Sequence, residues 1–126
     1  RGQKAVATIL TIRLADPKHY GRICRSVNGD VEKIVEYRDA NESERALNEI
    51  NSGIYAFETA DLFNSLSKLT TNNDQKEYYL TDVIGILKGQ KKKVTACLTD
   101  NELEVHGIND MNDLQRAENE IKRVLV

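Results

Sequence analysis

The chain lacks the residues from which most recognisable reactive sites are built. Of its 126 residues only two are cysteine and two histidine. Cys24 and Cys97 form no CxxC pair and no Cys/His spacing of a zinc site, and two such thiols make no disulfide framework, so they read as free, buried thiols in a reducing compartment. His19 and His106 stand alone, which leaves a histidine-built metal site or a hydrolytic triad without support; a surface or structural role is the simpler reading for each. Neither GxGxxG nor GxxxxGK[ST] occurs, so no familiar glycine-rich loop is present to cradle a triphosphate, and GxSxG and HExxH are missing as well. No apolar run reaches the roughly 18 residues of a membrane span. Arg1-Gly2-Gln3-Lys4 leads into a strand rather than a signal-like segment, and a cytoplasmic location is expected, with no membrane partner. Charge of one sign is also lacking. The formal net charge is −2, which argues against nucleic acid as a partner. Lys88, Lys91, Lys92 and Lys93 form a basic cluster, which a solvated loop at a helix C-terminus explains more simply than a phosphate site does.

What is present is the material of one ordinary domain, 40% hydrophobic and 30% charged, long enough for a real core. Glu49-Ile50-Asn51-Ser52-Gly53-Ile54-Tyr55-Ala56-Phe57 reads as its organising strand, with β-branched and aromatic residues in the second half and Thr59 and Asp61 announcing a helix. Pleating places Glu49, Asn51, Gly53, Tyr55 and Phe57 on one face, where the polar groups need partners; a hydroxyl-rich ligand lying close to the backbone would suit them. Val6 to Leu14 is nearly continuously apolar or β-branched, the pattern of a strand covered on both faces. Asp16-Pro17 breaks it. Arg22 to Val27 and Val31 to Tyr37 flank Asn28-Gly29, which predicts a hairpin with a tight two-residue turn.

Asp39 to Asn48 is polar and reads as loop with one or two helical turns. Leu62, Phe63, Leu66 and Leu69 predict an amphipathic helix from Thr59, and Leu80, Val83, Ile84 and Leu87 a second one that Gly89 can end. Lys93 to Leu98 is a strand, and a last helix from about Asp110 carries the apolar stripe Met111, Leu114, Ala117, Ile121 and Val124. Strands alternating with helices after a hairpin indicate an α/β layered domain with a mixed sheet. A doubly covered opening strand and a still-apolar C-terminus give both ends the look of cuts in a larger α/β unit.

Several polar residues beside these elements invite a role. Glu36 ends a strand and can accept sugar hydroxyls, although a solvated charge is the ordinary reading of such a glutamate. Asn51, in a strand whose pattern predicts burial, needs partners for both ends of its carboxamide, from the backbone or from a ligand. Glu77 to Asp82 precedes a helix whose N-terminus favours an anion, yet Thr81 or Asp82 also suits a cap. Asn109 suits a cap of the last helix, or an oxygen ligand for a hard cation such as Mg²⁺.

Thr11-Ile12-Arg13-Leu14-Ala15-Asp16-Pro17 with Tyr20-Gly21-Arg22-Ile23, Ile34-Val35-Glu36 with Asp39-Ala40, Glu49-Ile50-Asn51-Ser52-Gly53-Ile54, Glu77-Tyr78-Tyr79-Leu80-Thr81-Asp82 and Gly107-Ile108-Asn109 occur in that order. Together they resemble the bacterial bifunctional N-acetylglucosamine-1-phosphate uridyltransferase/glucosamine-1-phosphate acetyltransferases. The resemblance implies part of a Rossmann-like nucleotidyltransferase domain, with residues 1–126 as the C-terminal, sugar-binding portion of the uridyltransferase. It implies Gly21 as a backbone contact to N-acetylglucosamine, Glu36 and Asn51 as hydrogen-bond partners of the sugar, Tyr79 and Thr81 at its phosphate end, and Asn109 as one ligand of Mg²⁺. In that family the phosphate oxygen of N-acetylglucosamine-1-phosphate attacks the α-phosphorus of UTP and pyrophosphate leaves. The UDP-N-acetylglucosamine formed serves cell-wall peptidoglycan biogenesis.

No protein nucleophile is needed, so no catalytic residue is expected within this chain alone. The nucleotide-binding N-terminal half, with the second metal ligand, and the C-terminal left-handed β-helix that forms a homotrimer are expected as missing partners. Ser52 stands where threonine is usual and Lys76 where glycine is usual; the first keeps a hydroxyl and the second restricts the approach to Tyr79. The competing reading is a non-catalytic sugar- or protein-binding module of nucleotidyltransferase descent. A pure interaction module would have no use for Glu36, Asn51 and Asn109 together.

Overall fold

A computed structural model describes residues 4–102, 105, 107–108 and 110–125. Its centre is one mixed sheet of five strands in the order β3-β2-β4-β1-β5. These are β1 Ala5–Arg13, β2 Arg22–Arg25, β3 Val31–Val35, β4 Glu49–Phe57 and β5 Lys93–Thr99. β1 runs antiparallel to β4 and parallel to β5, while β2 lies antiparallel to β3 and meets β4 at Arg22 and Ile50. The fold is thus the α/β arrangement with a mixed sheet and a hairpin that the sequence pattern predicts.

Alternation along β1 explains the layers, because successive side chains leave a strand on opposite faces. Ala7 and Ile9 join Ile23, Ile34 and Val94 under Val83, Ile84 and Leu87 of α3 (Asp82–Gly89), with Leu62 and Leu66 of α2 (Thr59–Leu66) packed at the margin. Ile12 instead meets Ile50 and Val105, and Cys24, Val35 and Ala40 form a third cluster. Both faces of β1 are covered, as its near-continuous apolar run requires. A 3₁₀ turn at Tyr37–Asp39 and the short α1 (Glu42–Arg45) occupy the polar segment between β3 and β4. The Asn41 side chain accepts from the Glu44 amide while Glu44 accepts from the Asn41 amide, a reciprocal cap that stabilises even so short a helix.

The structure departs from expectation in several places. Ser26 N–H donates to the Asp30 carbonyl at 2.8 Å and Gly29 N–H to the Ser26 carbonyl at 2.9 Å, so the hairpin closes over three residues, Val27-Asn28-Gly29. Only Gly29 takes a positive φ, +88°, whereas the two-residue turn that Asn-Gly favours needs positive φ at both positions. α3 ends at Gly89, its last helical residue, as expected, but the left-handed residue of the stop is Lys91 (φ 61°) rather than the glycine. Cys97 is exposed, so only Cys24 is a buried thiol. The fourth helix, α4 (Met111–Leu125), has no buried residue, and its stripe is uncovered, Met111 being 75% and Val124 68% exposed. Asp110, whose Oδ1 accepts from the Asp113 amide at 2.8 Å, caps this helix. No helix among the described residues is long and apolar enough to cross a membrane.

Candidate functional site

The site is assembled where the C-terminal end of β3 meets the N-terminus of α3, with the loop before β2 alongside and β4 joined to that loop at Asn51. Glu36 follows β3 and carries its carboxylate toward α3, where the Thr81 hydroxyl donates to Glu36 Oε1 at 3.0 Å. Thr81 occupies the N-cap position of α3 but caps nothing with its side chain. Its hydroxyl is committed to the carboxylate, which decides against the capping alternative. Glu36, Tyr79 and Thr81 line a cleft of about 340 Å³ together with Lys33, Asp39 and Asp82. Burial raises the Asp82 pKa and the nearby Asp39 carboxylate raises it further.

Gly21 adjoins the same carboxylate. A Cβ placed on it would lie 3.4 Å from Ile34 Cγ2 and 3.5 Å from Glu36 Oε2, ordinary contact distances, and its φ is not in the left-handed region. Folding therefore does not demand glycine here; what the missing side chain provides is open space beside Glu36. The Gly21 carbonyl accepts from the Asn51 amide at 2.9 Å, which links the loop before β2 to the polar stretch of β4. The Asn51 carboxamide donates from Nδ2 to the Tyr55 hydroxyl at 2.7 Å, and its Oδ1 accepts from the Gly53 amide at 3.0 Å. Glu49, expected to face a ligand alongside Asn51, is instead consumed by the fold. It is buried, accepts from Thr11 at 2.7 Å, and takes both Nε and Nη2 of Arg25 at 2.7 Å.

Tyr79 is half-buried, its hydroxyl is screened from solvent without a hydrogen bond, and Asp39 and Gln75 lie nearby. Burial raises the phenol pKa, so it is a neutral donor. Lys76, three residues before it, adopts φ 56°, a left-handed geometry natural to glycine. Five of the six candidate residues thus lie around α3 and the adjoining sheet. Asn109 lies outside the described residues, as does His106. His19 packs edge-on against the Tyr37 ring at 4.5 Å, a structural role. A larger cleft of about 570 Å³, bounded by Tyr20, Gly107 and Arg116, includes none of the five. Among the described residues no group of three or more His, Cys, Asp or Glu side chains is placed to hold a metal ion. The lysines at the end of α3 occupy the turn into β5, with Lys92 paired to Asp61.

Two residues that sequence patterns did not single out shape this site. Arg22 is 2% exposed and donates to the carbonyls of Pro17, Lys18, Tyr20 and Arg45. It thereby closes the loop that presents Gly21. A charged residue opening an apolar strand was the available signal, since a buried guanidinium must find acceptors. Alternation places Tyr55 on the face of Asn51 but four residues away, and nothing in the pattern brings the two side chains into contact.

No family model matches the chain. Over 113 residues it is 54% identical to the bifunctional protein GlmU of Limosilactobacillus reuteri, covering 90% of this chain and 25% of that protein. GlmU of Bacillus thuringiensis is 52% identical over 114 residues, with the same shares. The chain is similar to one segment of GlmU. It spans about a quarter of the length of these curated relatives, and the resemblance read from the sequence blocks holds over nearly the whole chain. Among solved structures, a candidate glucose-1-phosphate thymidylyltransferase from Bacillus anthracis, crystallised with sucrose, superposes with a TM-score of 0.59 at 22% identity, covering 91% of this chain and 43% of that one. At that identity the likeness speaks for the fold alone, a Rossmann-like α/β domain with a mixed sheet.

Proposed function

We propose that this chain is the C-terminal, sugar-binding portion of a uridyltransferase domain that makes UDP-N-acetylglucosamine and pyrophosphate from UTP and N-acetylglucosamine-1-phosphate. The observation that carries the reading is convergence. Gly21, Glu36, Asn51 and Thr81 come from separate segments and are linked in series, Thr81 to Glu36, Glu36 against Gly21 and the Gly21 carbonyl to the Asn51 amide, within a segment more than half identical to GlmU. Their chemistry suits a sugar. Glu36 offers acceptors to ring hydroxyls, the Asn51 carboxamide offers both a donor and an acceptor, and the bare backbone at Gly21 lets a ring lie close. The Tyr79 hydroxyl supplies a donor toward a phosphate, and the Thr81 hydroxyl can supply a second only by leaving Glu36.

In this reading the chain binds and orients. The attacking phosphate oxygen belongs to the sugar phosphate and the leaving group is pyrophosphate, so the contribution of these residues is alignment of a nucleophile that the substrate brings with it. Mg²⁺, when bound, would neutralise charge on phosphate oxygens. Asn109 is the one ligand proposed from this chain, and the described residues form no metal site by themselves, so no step is assigned through the ion. The remaining ligands, the uracil pocket and the triphosphate cradle belong to the proposed N-terminal half.

The test is uridyltransfer from UTP to N-acetylglucosamine-1-phosphate with Mg²⁺, run on this chain alone and mixed with the N-terminal half of a GlmU uridyltransferase domain. Activity is expected only in the mixture, and Glu36→Gln is expected to raise KM for the sugar phosphate by about tenfold, the cost of one charged hydrogen bond. A stable complex without activity would overturn the reading in favour of a non-catalytic module.

A further inference from the structure

Asn51 and Tyr55 stand four residues apart on one strand, yet their side chains touch. In a regular strand residues so spaced would be about 13 Å apart. The register explains the contact: Tyr55 pairs with Ile9 and Asn51 with Thr11, so Ser52, Gly53 and Ile54 together face only Leu10. Two extra residues are looped out, which draws Asn51 and Tyr55 to about 7 Å, the spacing of next-but-one neighbours, while keeping both on the same face. Gly53 adopts φ +84° at the turn of this bulge. Ser52 locks it, its hydroxyl donating to the Leu10 carbonyl at 2.6 Å and accepting from the Ile54 amide at 3.1 Å.

The bulge therefore fixes the Asn51 carboxamide at both ends. Gly53 N–H can only donate, so it selects Oδ1 on its side. That leaves Nδ2 facing the Tyr55 oxygen, with one Nδ2 hydrogen and one Oδ1 lone pair uncommitted. Phe57 packs on the Tyr55 ring, the centroids 5.4 Å apart, so the hydroxyl is held from behind. Resting on the sugar-binding reading above, we infer that Tyr55 is a positioning residue: its hydroxyl pre-orients the Asn51 carboxamide so that a free N–H and a free oxygen face a ligand that offers an acceptor and a donor side by side, as adjacent sugar hydroxyls or an acetamido group do. Its role is exerted through Asn51 and needs no contact of its own with the substrate.

The experiment uses ¹⁵N-labelled chain mixed with the N-terminal half, titrated with N-acetylglucosamine-1-phosphate. Before ligand is added, Tyr55→Phe is expected to shift the Asn51 side-chain amide pair while the backbone spectrum stays that of the folded protein; an unmoved amide pair overturns the proposal. With ligand, Tyr55→Phe is expected to weaken binding about tenfold and Asn51→Ala by more. The double variant is expected to be no weaker than Asn51→Ala alone, because Tyr55 acts only through that side chain. Losses that add overturn the proposal and leave sugar binding standing. A wild-type complex that does not bind the sugar phosphate overturns both, and the ligand-free amide shift then still reports the hydrogen bond itself.

Discussion

A carboxylate inside a sheet must find compensating partners or give up its charge. Glu49 keeps its charge. Burial alone would push its pKa up, but the hydrogen bonds from Arg25 and Thr11 outweigh burial and hold it below the usual 4.5. The folded protein thus binds this proton less readily than the unfolded chain does. The corresponding stability is fully present above about pH 4.5 and is lost as pH falls through the lower, folded value. Glu49→Gln, which leaves Arg25 without its ionic partner, is expected to cost about 2 kcal/mol at neutral pH, with the deficit shrinking in acid. Urea denaturation at about pH 7 and about pH 3 measures both; a deficit of equal size at the two pH values would contradict this account.

At the scale of elements, α3 is stopped by a lysine. Lys92 N–H reaches the Leu87 carbonyl at 3.0 Å and Lys91 N–H the Lys88 carbonyl at 2.9 Å, with Lys91 in the left-handed region usually left to glycine. Lys91→Gly should relieve that strain and stabilise by about 0.5–1 kcal/mol, the gain being reduced by the greater freedom of glycine in the unfolded chain. Thermal melting checks it, and an unchanged or lower midpoint would show that the lysine is not strained. This stop also marks where sequence reading ends. The existence and order of strands and helices were legible, because periods of two and of three to four residues are local properties. The stop was read at Gly89 because glycine is the residue that ordinarily pays nothing there. Asn28-Gly29 likewise signalled a tight hairpin, but the loop took three residues because Asn28 keeps a negative φ. Glu36 and Asn51 were legible as polar groups where a buried pattern predominates. Thr81 was legible as a site residue and Tyr55 as lying on the face of Asn51, but the contacts of Glu36 with Thr81 and of Asn51 with Tyr55 were not, since one joins separate elements and the other is made by a bulge that alternation cannot show.

For the molecule as a whole, β1 and β4 carry the fold and α4 adds little to it. Ile9, Ile12 and Ile50 are at most 2% exposed, whereas no residue of α4 is buried. A helix of this length has marginal stability without tertiary cover. Its amides are expected to exchange with solvent well before those of β1 and β4, which require global opening. Hydrogen exchange read by NMR decides this; equal protection in α4 and β1 would mean that its stripe is covered in solution.

The parallel pairing of β1 with β5 has a consequence for how the chain is made. Thr8 and Thr95, whose hydroxyls meet at 2.9 Å, are 87 residues apart. At about 5–20 residues per second, a ribosome needs ~4–17 s to synthesise that interval. Throughout it, the most apolar strand of the molecule has been made and its parallel neighbour has not. During synthesis β1 is thus a natural target for chaperones, and a slowed ribosome lengthens that exposure in direct proportion.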